Sequence, residues 1–303
     1  MTLHALTIFL SSFLLFQVQP LIARSILPWF GGSAAVWTTC MLFFQGLLLF
    51  GYLYAWLSAT YLTPKKQALL HIGLLAAALL FLPIIPSPSW KPQGGETPVL
   101  AIIGVLAATV GVPYLLLSTT SPLIQAWYAR THRGGIPYRL FALSNVGSLL
   151  GLVTYPPLVE PYLPLRAQAY SWSVGFALFA LCCGATAWVS CKGEAAAPGT
   201  EQGAAETPGR MLLWAALPAA SSALLLAVTT HMTQNVAAIP FLWIIPLVLY
   251  LASFIICFER ERWYHRGIWF PVGGAAVVAM CWSLLHGEGT PKLALLLPLF
   301  SVG

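Results

Sequence analysis

Long apolar runs separated by short polar turns dominate this chain of 303 residues. A membrane-spanning helix needs about 20 consecutive apolar residues. On that criterion, about nine full spans are predicted, at about 5–26, 35–60, 67–86, 98–128, 138–159, 166–190, 211–232, 239–258 and 267–286. The last run, Leu293–Val302, is too short, because even the 13 residues Pro291–Gly303 would form only about 20 Å of helix. We expect a partial tenth helix there, either because the chain is a fragment or because the segment is re-entrant.

A polar stretch divides these helices into two groups. Residues 192–209 (KGEAAAPGTEQGAAETPG) are rich in Ala, Gly, Glu and Pro and show no apolar periodicity, as is typical of a flexible linker. We therefore predict a first membrane half at 1–190, a cytoplasmic linker at 191–209 and an incomplete second half at 210–303. Six helices, a linker and more helices form the layout of a transporter built from two halves.

Composition supports a polytopic, all-α membrane protein. Hydrophobic residues make up 59%, charged residues 7%, and the mean hydropathy is +0.82, whereas soluble domains carry about 25% charged residues. Ten of the fourteen Lys and Arg residues fall on one side of the predicted spans, which places the N-terminus in the cytoplasm. The net charge of +6 is spread over loops rather than forming a nucleic-acid-binding patch.

Several kinds of chemistry lack their usual residues. All eight acidic residues are Glu, so chemistry that depends on Asp, such as a Ser-His-Asp triad, is excluded for this chain. The six cysteines form no CxxC pair, and no metal site, cofactor site or catalytic residue is predicted. None of the predicted spans holds a carboxylate well inside it, although proton- and cation-coupled transporters usually keep one there.

The fifth predicted helix, within Pro137–Pro161, carries small residues at spacings of three and four. These residues share one helix face: Ser144, Gly147, Ser148 and Gly151. Gly147 and Gly151 form a GxxxG step, which lets two helices approach closely in lipid. Asn145 lies beside this face and needs a hydrogen-bond partner. Two interpretations stay open for Asn145, a contact between helices and a residue that lines a cavity.

Other polar residues lie inside the predicted spans. In the fourth helix, Thr119 and Thr120 precede Pro122, so the helix is either kinked or broken there. With the N-terminus inside, the candidate cavity-lining residues form a cytoplasmic layer and a non-cytoplasmic layer. The first contains Thr119, Thr120, Ser144 and Asn145, and the second contains Gln17, Gln45, His231, Gln234 and Asn235. Ser148 is a further candidate.

Four segments, in order, resemble the membrane part of bacterial fused major facilitator superfamily (MFS)/spermidine synthase proteins. The segments are SSFLLFQVQPLIARSILPWFGGSAAVWTTCMLFFQGLLLFGYLYA (11–55), TSPLIQAWYA (120–129), PYRLFALSNVGSLLGLVTYPPLVEP (137–161) and THMTQNVAAIPFLWIIPLVLYLASFIICF (230–258). The resemblance implies an MFS-like helical bundle and, in many members, a spermidine-synthase-like domain after the helices. It also implies a location in the bacterial inner membrane. Such a domain has a Gly-rich turn and a catalytic Asp, both of which this chain lacks.

The resemblance therefore implies a non-catalytic membrane domain rather than an enzyme. Any aminopropyltransferase domain would lie beyond residue 303, on the cytoplasmic side. The expected partners are the lipid bilayer, that synthase-like domain and a small solute such as a polyamine, for which the helices would act as anchor and conduit. The alternative is a stand-alone MFS-type secondary transporter of an unidentified small solute.

Overall fold

The described part of the protein is all-helical. The computed structural model describes residues 2–31, 33–92, 98–131, 138–192, 207–235, 240–259 and 265–286, and no strand is present within these ranges. The chain divides into two compact units, Met1–Ala197 and Pro198–Gly303. The predicted linker falls mostly, and the partial tenth helix wholly, outside the described residues.

The first unit contains helices that match the first six predicted spans in order. They are α1 (Thr2–Phe30), α2 (Ala34–Tyr61), α3 (Pro64–Ala78), α4 (Pro98–Leu106), α5 (Val112–Thr131), α6 (Tyr138–Thr154) and α7 (Leu165–Lys192). The predicted fourth span comprises α4 and α5 together, joined by a π-helical turn at Ala107–Gly111. In the second unit, α8 (Pro208–Asn235) packs against α9 (Pro240–Glu259), and α10 covers Arg266–His286.

Prolines account for the main departures from the predicted bounds. The π turn at Ala107–Gly111 directly precedes Pro113, which lacks the N–H that a regular helix would use at that point. The predicted third helix is wrong at both ends. Pro64 starts α3 as its first helical residue, and Pro83 follows the short 3₁₀ turn Leu79–Phe81 that ends it.

Six helical segments are long and apolar enough to cross a bilayer. They are Thr2–Phe30, Ala35–Tyr61, Pro98–Arg130, Arg139–Val159, Leu165–Lys192 and Pro208–Thr229. Two shorter apolar segments, Ile245–Ile256 and Gly267–Trp282, lie in the second unit, and α3 is shorter than all six at 15 residues. The described residues are thus compatible with a multi-pass membrane protein, while the number of spans stays a prediction.

Packing in the first unit follows a two-fold pattern. Helix α1 packs on α6, and the equivalent contact is that of α5 on α2. Likewise, α1 contacts α7, and the equivalent contact is that of α5 with α3. The pairs α1–α5 and α3–α7 also pack against each other. Exchanging α1, α2 and α3 for α5, α6 and α7 therefore reproduces the main contacts. On the predicted topology, each group crosses the membrane three times and the two groups run in opposite directions.

Candidate functional site

The small-residue face of α6 lies directly against the backbone of α1. A Cβ atom placed on Gly147 would be 2.9 Å from the carbonyl oxygen of Phe9, and one on Gly151 would be 2.5 Å from that of Phe13. Both distances are shorter than ordinary van der Waals contact. The absence of a side chain at these two positions is what allows α1 and α6 to approach so closely.

Polar groups of the same face also contact α1. The hydroxyls of Ser144 and Ser12 are 2.8 Å apart, and Ser12 donates to the carbonyl of Ile8 at 2.7 Å. Ser148 is buried. Asn145 is half-buried, and its amide donates to the carbonyl of Phe141 in its own helix at 3.0 Å. The described contacts of Asn145 therefore lie within α6, and its side chain is partly accessible.

The paired threonines of α5 are buried and bonded within their own helix. Thr119 and Thr120 both donate to the carbonyl of Leu116, at 2.7 Å and 2.9 Å. Helix α5 continues through Pro122 without interruption, so the broken-helix alternative for this segment is wrong. Both threonine hydroxyls are therefore satisfied within α5 and need no partner from another helix.

The predicted non-cytoplasmic layer is only partly described. Gln17 is half-buried on α1, whereas Gln45 is exposed on α2. The side chains of His231, Gln234 and Asn235 lie outside the described residues. No hydrogen bond joins two of the predicted cavity residues among the described side chains. The amide that joins α1 to α5 is Gln19, which donates to the Tyr114 hydroxyl at 3.2 Å.

The largest buried polar network joins residues that sequence reasoning did not select. Its centre is Gln67 on α3, whose side chain is fully buried. The amide oxygen of Gln67 accepts from the Trp127 indole at 3.1 Å and from the Arg130 guanidinium at 2.9 Å. Its amide nitrogen donates to the Ser58 hydroxyl at 3.1 Å. One side chain thus ties α3 to both α2 and α5.

The network continues one turn deeper, at His71. The Tyr54 hydroxyl lies 3.3 Å from His71 Nδ1, and the Cys183 thiol lies 3.5 Å from Nε2. The Trp127 ring stands edge-on to the imidazole, with centroids 5.8 Å apart. His71 thereby links α2, α5 and α7 to α3. We call the seven side chains the α3 network: Tyr54, Ser58, Gln67, His71, Trp127, Arg130 and Cys183.

A spacing signal for the α3 network was available in the sequence. Gln67 and His71 are four residues apart, as are Tyr54 and Ser58, so each pair shares one helix face. Trp127 lies near a helix end, a position typical of an interfacial anchor, yet it is only 4% exposed. The network holds donors and acceptors in mutual contact, and no group of three His, Cys or Glu side chains in the described residues could hold a metal ion.

A second polar contact lies near the C-terminal ends of α1 and α6. Arg24 donates to the backbone carbonyl of Glu160 at 3.1 Å, and its guanidinium is 3.9 Å from the Glu160 carboxylate. Both side chains are nearly half-exposed, at 41% and 46%. Nearby, the buried Tyr155 hydroxyl donates to Gln168 at 2.9 Å. The ion pair therefore joins α1 to the segment that follows α6, at the exposed end of the contact between the two helices.

Replacing Glu160 with Gln is expected to change the free energy of unfolding by less than about 1 kcal/mol, because solvent screens an exposed ion pair. The substitution also keeps the backbone carbonyl that Arg24 binds. Denaturant unfolding of the purified protein in detergent tests this expectation. A loss above about 2 kcal/mol would show that the carboxylate contributes more than its exposure suggests.

Comparisons with known proteins leave the family open: no protein-family model matches the chain, and no curated protein or solved structure matches it either. The resemblance to the fused MFS/spermidine synthase proteins therefore rests on the four quoted segments alone.

Proposed function

We propose that this chain is the non-catalytic membrane domain of a spermidine-synthase-like fusion protein, and that it acts as an anchor and as a conduit for a small solute such as a polyamine. The observation that supports a conduit is the two-fold packing of α1–α3 and α5–α7 in the first unit. Three-helix repeats of opposite direction are typical of major facilitator transporters, in which solutes bind near the bilayer centre.

The charges of the described residues favour a conduit over an ion-driven pump. Glu160 is the one carboxylate among the described residues of the first unit, and it lies at a helix end in contact with Arg24. Coupling to protons or cations usually relies on a carboxylate within a span. The same packing also favours the alternative, a stand-alone MFS-type secondary transporter. The position of Glu160 at a helix end is evidence against a transporter coupled to protons or cations.

Asn145 is the residue of choice for a transport test. Its amide is partly accessible, and its described hydrogen bond is to its own helix, so replacing it should leave the contacts between helices intact. We expect vesicles containing the protein to take up labelled spermidine faster than empty vesicles, and Asn145→Leu to reduce that rate several-fold. The matched control is Leu150→Ala, a change on the exposed side of the same helix.

The outcomes separate the candidates. Uptake that needs no ion gradient supports the conduit, whereas uptake that follows an imposed proton or sodium gradient supports the secondary transporter. Equal flux with and without the protein would reject the conduit for spermidine. If Leu150→Ala lowers the uptake rate as much as Asn145→Leu does, Asn145 does not line the solute path.

A further inference from the structure

The segments that lead into α3 and α7 have the same backbone hydrogen bonds. Leu62 donates to the carbonyl of Ser58 at 3.2 Å before α3, and Leu163 donates to that of Val159 at 3.1 Å before α7. Both residues of the second bond lie 101 positions after their counterparts (163 − 62 and 159 − 58). We call residues 58–67 the inner junction and residues 159–168 the outer junction. By the predicted topology, the first lies at the cytoplasmic surface and the second at the opposite surface.

The helices that follow the two junctions continue the same register. Every buried residue of α3 has a buried counterpart 101 positions later in α7. The pairs, in order, are Gln67 and Gln168, Ala68 and Ala169, His71 and Trp172, Leu75 and Phe176, and Ala78 and Phe179. The junctions are therefore equivalent parts of the two-fold packing.

An arginine from the other three-helix group binds each junction. Arg130 of α5 donates to the carbonyl of Ala59 at 3.1 Å, and Arg24 of α1 donates to that of Glu160, also at 3.1 Å. The two acceptors are again 101 positions apart (160 − 59). We call the first contact the inner clasp and the second the outer clasp. Each clasp ties the group α1–α3 to the group α5–α7 at one end of the bundle.

The second partner of each arginine makes the clasps unequal. Gln67 and Gln168 are both buried. Gln67 accepts from Arg130 at 2.9 Å, whereas Gln168 accepts from Tyr155 at 2.9 Å. The second partner of the outer arginine is instead a carboxylate whose side chain is 46% exposed, at 3.9 Å. The inner clasp thus includes a buried acceptor, and the outer clasp includes a solvent-screened ion pair.

The backbone before the outer clasp also has fewer hydrogen-bond donors. The π turn Tyr155–Val159 follows α6 and contains Pro156 and Pro157, neither of which has a backbone N–H. The equivalent residues 101 positions earlier, Ala55 and Trp56, lie within regular helix α2. Fewer hydrogen bonds therefore stabilise the outer junction than the inner one.

We infer that the outer clasp is a releasable contact, at which the two three-helix groups separate locally while the inner clasp stays closed. Proteins open first where buried contacts are few and backbone hydrogen bonds are exposed to solvent. The outer junction meets both conditions, because its arginine, carboxylate and prolines lie at the surface or lack donors. One consequence rests on the proposed function: release of the outer clasp would regulate entry of the solute at the non-cytoplasmic surface.

Hydrogen–deuterium exchange of the purified full chain in a non-ionic detergent tests the inference without any solute. The reporters are the peptides that contain Leu163 and Leu62, whose amides make the equivalent bonds. We expect the Leu163 peptide to exchange about tenfold faster than the Leu62 peptide. Arg24→Met removes the bond to the carbonyl and the ion pair, so it should speed exchange at Leu163 about fivefold further and leave Leu62 unchanged.

The matched control is Arg166→Met, which removes an exposed cation from the outer junction itself. We expect it to leave exchange at Leu163 unchanged. Equal exchange at Leu163 and Leu62 in the unmodified protein would overturn the inference, as would an Arg166→Met effect as large as that of Arg24→Met. Spermidine uptake by vesicles containing Arg24→Met then tests the consequence separately. Faster exchange with unchanged uptake would support the releasable clasp and count against its role in a conduit.

Discussion

Replacing Gly151 with alanine is expected to lower the free energy of unfolding by roughly 1–3 kcal/mol, and leucine at this position should prevent correct folding. The new Cβ would be 2.5 Å from the Phe13 carbonyl oxygen, and backbone cannot move aside as a flexible side chain can. To admit the methyl group, α6 must separate from α1. That separation would also stretch the contact of 2.8 Å between Ser12 and Ser144.

The control for this experiment is Gly73→Ala on α3. A Cβ on Gly73 has no neighbouring atom within 4 Å, and glycine in a helix costs about 0.5–1 kcal/mol relative to alanine. Gly73→Ala should therefore be neutral or stabilising. Denaturant unfolding in detergent micelles compares the two variants directly. Similar values for Gly151→Ala and Gly73→Ala would mean that the α1–α6 contact is looser than described.

Replacing Gln67 with leucine is expected to cost roughly 2–4 kcal/mol, a second large effect. Leucine fills much of the volume of Gln67 but offers no acceptor to the Trp127 indole or the Arg130 guanidinium. The Trp127 indole is buried and would lose its acceptor outright. The half-buried Arg130 would keep its bond to the Ala59 carbonyl and reach water, so its loss is the smaller part of the penalty.

Gln45→Leu is the matched control, because it makes the same chemical change at an exposed position of α2. We expect it to shift stability by less than about 0.5 kcal/mol. The double variant Gln67→Leu/Arg130→Met should be less destabilised than the sum of its single changes, because it removes the stranded charge with its acceptor. Additive effects in this cycle would contradict a direct contact between Gln67 and Arg130.

The helices were predictable because apolar length alone decides where a span can form. The segment 98–128, for example, appears as α4 and α5 despite two prolines. Its internal geometry was less predictable, because two prolines nine residues apart act differently. The π turn precedes Pro113, whereas α5 continues through Pro122, and the Ser118 and Thr119 hydroxyls before it bond to carbonyls of the same helix.

The α3 network was missed for a different reason. Gln67 and Arg130 are 63 residues apart, and His71 and Cys183 are 112 residues apart. Periodicity indicates which residues share a face of one helix, but it does not indicate which helix covers that face. Thr119 and Thr120 show the converse, since a polar pair in mid-span can satisfy its hydrogen bonds locally and need no partner helix.

The long sequence separations within the α3 network bear on how the protein is made. Helix α3 leaves the ribosome with Gln67 and His71 before α5 and α7 exist, and it is shorter than the six segments that qualify as spans by length and apolarity. At about 5–20 residues per second, Gln67 waits roughly 3–13 s for Arg130. During that time, Gln67 and His71 lack the partners that α5 and α7 supply. The α3 network can form only after those helices are made, so the order of synthesis is part of how this bundle assembles.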